Sequence, residues 1–171
     1  MTTELFQYRT ATAKDNPQLK QLGIDSYTTL FSMLTEENQT VMLNFLHDDE
    51  KVKKLMEQSH CFVCECNNTI VGMAYFIPHG NAWDVFPDEW SYIRMVGVHP
   101  AYQGRGIARK LMEMCIAKGK ETSEKIIALH TSEIMNAARY VYESLGFTIL
   151  REIEPRFGVK YWLYTLELEK Q

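Results

Sequence analysis

No apolar run in the 171-residue chain reaches the length needed to cross a bilayer, and the start, Met1-Thr2-Thr3-Glu4, lacks the basic and apolar segments of an export signal. These absences exclude a membrane partner and predict a cytoplasmic protein. A basic stripe is also missing. Lys and Arg number 18 against 22 Asp and Glu, for a formal net charge of -4, which excludes nucleic acid as the main partner. Cysteine is scarce. Cys61, Cys64 and Cys66 stand in C-F-V-C-E-C with no second C-x-x-C pair beside them. That stretch reads as a strand, where residues three apart point to opposite faces, so these are expected as reduced core thiols and no metal site is expected. Repeats and low-complexity tracts are absent too, which excludes a solenoid.

What remains is a chain with 46% hydrophobic and 23% charged residues, the balance of a globular protein. At this length one domain over residues 1–171 buries a substantial core. A first strand is predicted at residues 6–10 and a helix over 14–25, whose Leu19, Leu22 and Ile24 form an apolar side. A second helical region follows over 35–58, broken at His47-Asp48-Asp49. Strands at 61–66 and 70–77 are joined by Asn67-Asn68, which is hairpin chemistry. Further strands are predicted at 92–98, 126–131, 148–153 and 161–168, with one helix following the glycine loop and another ending at Gly146. This order demands a mixed sheet with helices on both faces, with a parallel crossover from 92–98 to 126–131.

Residues 98–108 read V-H-P-A-Y-Q-G-R-G-I-A and open directly into the helix that begins Arg109-Lys110-Leu111. A helix N-terminus leaves backbone N–H groups without intrahelical partners and carries the positive end of the macrodipole, so this loop suits a phosphate. Gly104 and Gly106 permit close backbone approach, and the amides from Gln103 through Ala108 can wrap a pyrophosphate. Arg105 and Arg109 either add charge there or are solvated residues at the helix start. Ile107, Leu111, Met114 and Cys115 fall at helical spacing and are expected in the core. Two phosphate motifs are excluded. The dinucleotide fingerprint would need glycine or alanine where Arg109 stands, and the P-loop sequence G-K-[ST] is absent.

The remaining pattern, Gln103-x-x-Gly106-x-Ala108 directly after a strand, resembles the acyl-CoA-binding motif of the GNAT superfamily of N-acetyltransferases. A second stretch, N-A-A-R-Y-V-Y-E-S-L-G-F over residues 136–147, resembles that family's N-x-x-A-x-x-x-Y-x-x-x-G-F helix, and the element order agrees from about residue 4 to 168. The resemblance implies an α/β (α+β) fold with a mostly antiparallel sheet of about seven strands, one parallel pair splayed at a bulge, and helices on both faces. It implies acetyl-CoA as cosubstrate and no metal. Backbone groups at Val96 and Val98 would pair with the pantetheine arm, the loop residues Gln103, Gly104, Arg105, Gly106, Ile107, Ala108 and Arg109 would hold the pyrophosphate, and Asn136 and Arg139 would contact CoA. Asn136 has helix capping as its competing role. Gly97 suits either the bulge or tight packing.

Acyl transfer to an amine needs an unprotonated nucleophile, a donor to the carbonyl oxygen and a proton for the leaving thiolate. By resemblance a backbone N–H near Val98 polarises the carbonyl and Tyr142 supplies the proton, unless Tyr142 is simply a packed core tyrosine. Many members carry a glutamate six residues before the strand's final valine; here that position is Tyr92. Asp84, Asp88, Glu89, His99 and His130 are the titratable groups nearby, each more readily structural than catalytic. Acceptors in the family lie between the N-terminal helices and the loop before the bulged strand, here residues 26–35 and 78–91. Trp83, Phe86 and Trp90 alternate there with Asp84, Asp88 and Glu89, so a cationic amine is expected unless these aromatics merely anchor the loop. The reading is direct acetyl transfer to a primary amine of a small molecule or peptide. The rivals are a non-catalytic acyl-CoA-sensing module and a protein N-terminal or lysine acetyltransferase. A homodimer is compatible with either.

Overall fold

The chain builds one seven-stranded sheet in the order β1-β2-β3-β4-β5-β7-β6, with helices on both faces. The computed structural model describes residues 4–169; residues 1–3 and 170–171, the ends of the expected domain and part of the start segment read above, lie outside it. The strands are β1 (Phe6–Thr10), β2 (His60–Cys66), β3 (Thr69–Ile77), β4 (Ser91–Val98), β5 (Ile126–Ser132), β6 (Thr148–Arg156) and β7 (Val159–Glu167). The helices are α1 (Asn16–Tyr27), α2 (Glu36–Leu46), α3 (Asp49–Gln58), α4 (Ile107–Glu121) and α5 (Asn136–Ser144). Every neighbouring strand pair is antiparallel except β4 with β5, the parallel crossover expected around α4.

Local chemistry sets these boundaries. Asn67 and Asn68 take φ of 52° and 66°, the left-handed conformations that close the β2–β3 hairpin in a two-residue turn. Asp48 interrupts the second helical region by turning extended and accepting from the amides of Glu50 and Lys51, which caps α3. Before α1 the expected helical start at residue 14 is a single 3-10 turn, because the Asp15 carboxylate accepts from the Thr12 amide at 2.8 Å and α1 proper begins at Asn16-Pro17. Arg9 fastens that turn to the sheet with two bonds to Asp15, at 2.8 and 2.9 Å, and a further pair to Glu65.

The sheet separates two cores. Cys61 packs with Leu19, Leu22 and Leu55 of α1 and α3, whereas Cys64 and Cys66 pack with Ile107, Leu111, Met112 and Cys115 of α4. The three thiols of β2 therefore do not converge. On α4 the fully buried methionine is Met112, while Met114 is only half-buried, because the buried stripe of Ile107, Leu111, Met112, Cys115 and Gly119 is rotated toward Met112 and leaves Met114 at its edge.

Between Met73↔Gly97 and Tyr75↔Arg94 the β3–β4 register shifts, so Met95 and Val96 together face Ala74. Met95 takes a φ of 53°, a conformation costing a non-glycine residue roughly 1 kcal/mol or more. The bulge thus sits at Met95–Val96, not at Gly97 as one sequence reading had it. Gly97 is glycine for its other reason: a Cβ there would meet Ser26 Oγ of α1 at 2.7 Å. Beside it on the opposite face, Gly72 of β3 lets α4 approach, since a Cβ would meet Ile107 Cγ2 at 2.6 Å and Leu111 Cδ1 at 3.1 Å. Gly72→Ala should therefore displace the start of α4 and lower the unfolding free energy by about 1–3 kcal/mol. An unchanged urea midpoint would contradict this seating of α4.

Candidate active site

The turn after β4 is built by His99, whose amide donates to the Val71 carbonyl at 2.8 Å and whose Nδ1 accepts from the Ala101 amide at 3.1 Å. His99 is thus committed to the turn. Gly104 and Gly106 follow with φ of 77° and 78°, and a Cβ on either would meet nothing within 4 Å. The glycines serve the left-handed backbone and leave the loop surface bare. Lys110 N–H donates to the Gly106 carbonyl as the helical ladder begins, so the amides of Ile107, Ala108 and Arg109 are the orphan donors of α4. They make an anion cradle at the positive end of a 15-residue helix.

The side chains around this cradle are mostly engaged elsewhere. Arg105 pairs with Glu4 and lies over the Tyr102 ring at 5.3 Å. Arg109 donates to Ser144 Oγ at 2.5 Å and sits 3.9 Å from Glu113. Ile107 is buried, so only its amide faces the loop; Gln103 is exposed and reaches the Val98 carbonyl at a long 3.5 Å. On α5, Asn136 is the exposed first residue, while the cap position is Met135. Arg139 lies 4.3 Å over Trp162 and donates to Tyr164 at 3.1 Å, which ties α5 to β7.

Next to the cradle the sheet opens. β4 and β5 pair only at Ser91↔Ile127 and Tyr92↔Ala128, and the strands diverge from there past the bulge. Val96 and Val98 lie beyond that last pair. A cavity of about 230 Å³ fills the space, walled by Ile93, Arg94, Met95 and Val96 of β4 and by Leu129, His130 and Thr131 of β5. Tyr142 of α5 joins this wall. Its residue is 6% exposed, burial pushes its phenol far above the ordinary value, and among the described residues its hydroxyl has no hydrogen-bond partner. Its phenol is protonated at neutral pH and lines the cavity.

Tyr92, at the expected glutamate position, is structural: it is buried, donates to the Asn81 carbonyl at 2.7 Å and stacks on Phe86 at 4.4 Å. Of the 26–35 segment only Tyr27 lines the cavity, and of the 78–91 loop only Trp83 and Asp84 do; α2 supplies Met42, Phe45 and Leu46, the end of β6 supplies Arg156, and the turn after it Phe157. Asp84 sits in a tight turn closed by two backbone bonds between Trp83 and Phe86, with φ of 51°. Its carboxylate is bound by Arg156 through two bonds at 2.7 and 2.8 Å. The acidic acceptor site expected from Asp84, Asp88 and Glu89 is therefore not assembled: two of the three lie off the cavity and the third is already paired. His130 lies 3.5 Å from Asp84 with its Nε2 buried and unpartnered, and burial together with Arg156 pushes it down to about 4, against the pull of Asp84. It is neutral at pH 7. Sequence reasoning missed Arg94 and Arg156. For Arg94 the signal was present, a single charged residue in the otherwise uncharged strand S-Y-I-R-M-V-G-V.

Comparisons with known proteins fit this geometry. Residues 24–147, well over half of the chain, match the model of the Acetyltransferase (GNAT) family. The L-methionine sulfoximine/L-methionine sulfone acetyltransferase of Salmonella typhimurium is 32% identical over 105 residues, covering 59% of this chain and 58% of that protein. The L-amino acid N-acyltransferase MnaT of Escherichia coli is 28% identical over 104 residues, with the same two shares. The match thus spans less than two thirds of either relative. Among solved structures, the PaiA N-acetyltransferase of Thermoplasma acidophilum in complex with coenzyme A superposes with a TM-score of 0.76 at 12% identity, covering 96% of this chain and 99% of that one. The bare glycine cradle on α4, the splayed β4–β5 pair and the family match over residues 24–147 have one common account: the chain belongs to the acetyltransferase (GNAT) family.

Proposed function

We propose that the protein is a single-domain, acetyl-CoA-dependent N-acetyltransferase that moves an acetyl group directly to a primary amine of a small molecule or peptide. The observation that carries this reading is that β4 serves two features: the chain leaving it forms an anion cradle with free amides on α4, and the strand itself walls a cavity wedged against β5 with a protonated phenol in its lining. The fit to acetyl-CoA rests on the cradle. Its bare glycines give a pyrophosphate room to approach, and its orphan amides need acceptors. In this reading Gln103 through Arg109 hold the pyrophosphate, the backbone at Val96 and Val98 pairs with the pantetheine arm, and Asn136 and Arg139 border the CoA path.

Acetyl-CoA supplies an activated acetyl group as a thioester. Transfer forms a nitrogen–carbon bond, breaks a carbon–sulfur bond, removes one proton from the amine and returns one to sulfur. Tyr142 holds the second proton at its phenolic oxygen and passes it to the departing sulfur, and the proton lost by the amine restores the phenol through solvent in the cavity. A backbone N–H near Val98 donates to the carbonyl oxygen, where a preorganised donor favours developing charge. No residue is assigned as direct base: Tyr92 occupies the expected carboxylate position, the Asp84 carboxylate is bound by Arg156, and burial makes His130 weakly basic. The amine therefore reacts from its neutral form, reached in bulk water or through solvent in the cavity.

Gly106→Val should abolish acetyl-CoA binding, measured by calorimetry, while the domain still unfolds cooperatively; full affinity in a folded variant would remove the loop from the site. Tyr142→Phe should lower kcat by roughly 10²-fold or more and leave acetyl-CoA affinity nearly intact. Equal turnover would return Tyr142 to a packing role. His130 gives a pH prediction of defined sign. Its folded pKa lies below the unfolded value of 6.5, so between about 6.5 and 4 the unfolded chain holds the extra proton and stability falls as pH falls. Urea unfolding should show wild type losing about 2 kcal/mol more than His130→Gln between pH 7 and 4.5, and parallel losses would show that His130 is not buried neutral.

A further inference from the structure

Arg94 is the only charged side chain on β4, and it stands immediately before the bulge. It lines the cavity with its guanidinium stacked 3.6 Å over the Trp83 ring. Among the described residues it makes neither a hydrogen bond nor an ion pair. The carboxylate nearest in the wall, Asp84, is held by two bonds to Arg156, and the other titratable groups of the wall, His130 and the phenols of Tyr27, Tyr142 and Tyr161, are uncharged at pH 7. The wall therefore carries two guanidiniums against one carboxylate, a surplus of one positive charge. Burial lowers the Arg94 pKa, yet a guanidinium stays charged, and among the described residues the cost of desolvating it is offset only by the Trp83 ring and by the field of Asp84, with no hydrogen-bonded counter-charge.

Resting on the N-acetyltransferase reading above, we propose that Arg94 is the acceptor anchor and that it binds a carboxylate on the acceptor, so that the substrates are amino carboxylates of amino-acid size. A stacked guanidinium keeps its planar fork of N–H donors, which matches a carboxylate bidentately, and the aromatic face limits how far the fork can swing. Capture of a carboxylate neutralises the surplus charge. The apolar walls from Phe45, Leu46 and Phe157 then receive an uncharged side chain, while the amine lies toward the splayed strands and Tyr142. A cavity of about 230 Å³ suits an acceptor of amino-acid size. A second cationic group on the acceptor would meet the positive wall, which reverses the expectation of a cationic amine drawn from the acidic loop.

The test compares the standard amino acids with their primary amides, which differ only at the carboxylate. Wild type should favour the best amino acid over its amide by at least tenfold in kcat/KM. Arg94→Gln should erase that ratio by raising KM about 10²-fold for the acid while leaving the amide within about threefold, with acetyl-CoA affinity unchanged. Arg94→Lys should restore part of the preference, since it keeps the charge and loses the fork. Calorimetric binding of the amino acid and its amide, with CoA present, reads the same preference without turnover. Absent transfer with retained carboxylate preference would overturn the enzyme reading and support the anchor. Equal or better capture of amides or peptide N-termini, or a preference that survives Arg94→Gln, would overturn the anchor.

Discussion

Two residue pairs, Ser91↔Ile127 and Tyr92↔Ala128, hold β4 to β5, and the site depends on where that pairing stops. A parallel pair in mid-sheet would normally run the length of its strands and be covered on both faces. Here β4 carries one residue more than its antiparallel partner β3 at Met95–Val96, and past that bulge the second half of β4 no longer pairs with β5. The gap opens at the C-terminal ends of the parallel pair, beside the start of α4. Backbone groups that a continuous ladder would consume are left to the cavity. The same bend brings α1 against Gly97, where Ser26 leaves no room for a side chain, so the distortion is packed in place by its neighbours.

The charge inside this wedge is unlike the charge of the molecule. The chain carries a net -4, yet the cavity wall has a positive surplus because Arg156 claims Asp84 and leaves Arg94 over Trp83. Burial makes the local balance the one a ligand meets, since screening by water and salt is weakest there. The aromatic cluster of Trp83, Phe86, Tyr92, His130 and Tyr161 joins the pre-β4 loop to β5 and β7, which fixes Asp84 at the cavity edge. Trp83 thus touches both the aromatic cluster and the Arg94 guanidinium.

Local chemistry in the sequence determined much of this. Asn67-Asn68 named the hairpin, Asp48 the break between α2 and α3, and the glycines at 104 and 106 the cradle at the start of α4, because turns, caps and left-handed backbone depend on residues within a few positions of each other. The alternation in C-F-V-C-E-C separated the thiols onto two faces for the same reason. What only the tertiary structure decided were matters of long-range pairing. Gly97 looked like the bulge, but the register against β3 put the bulge at Met95, and α1, some seventy residues away in sequence, explained the glycine. Three acidic residues close together in the chain looked like an amine site, but Arg156 arrives from β6 to neutralise the one that faces the cavity. Arg94 was visible as a lone charge in a strand, and its freedom was not, because whether a charge is paired depends on partners that the chain brings together only when the sheet closes.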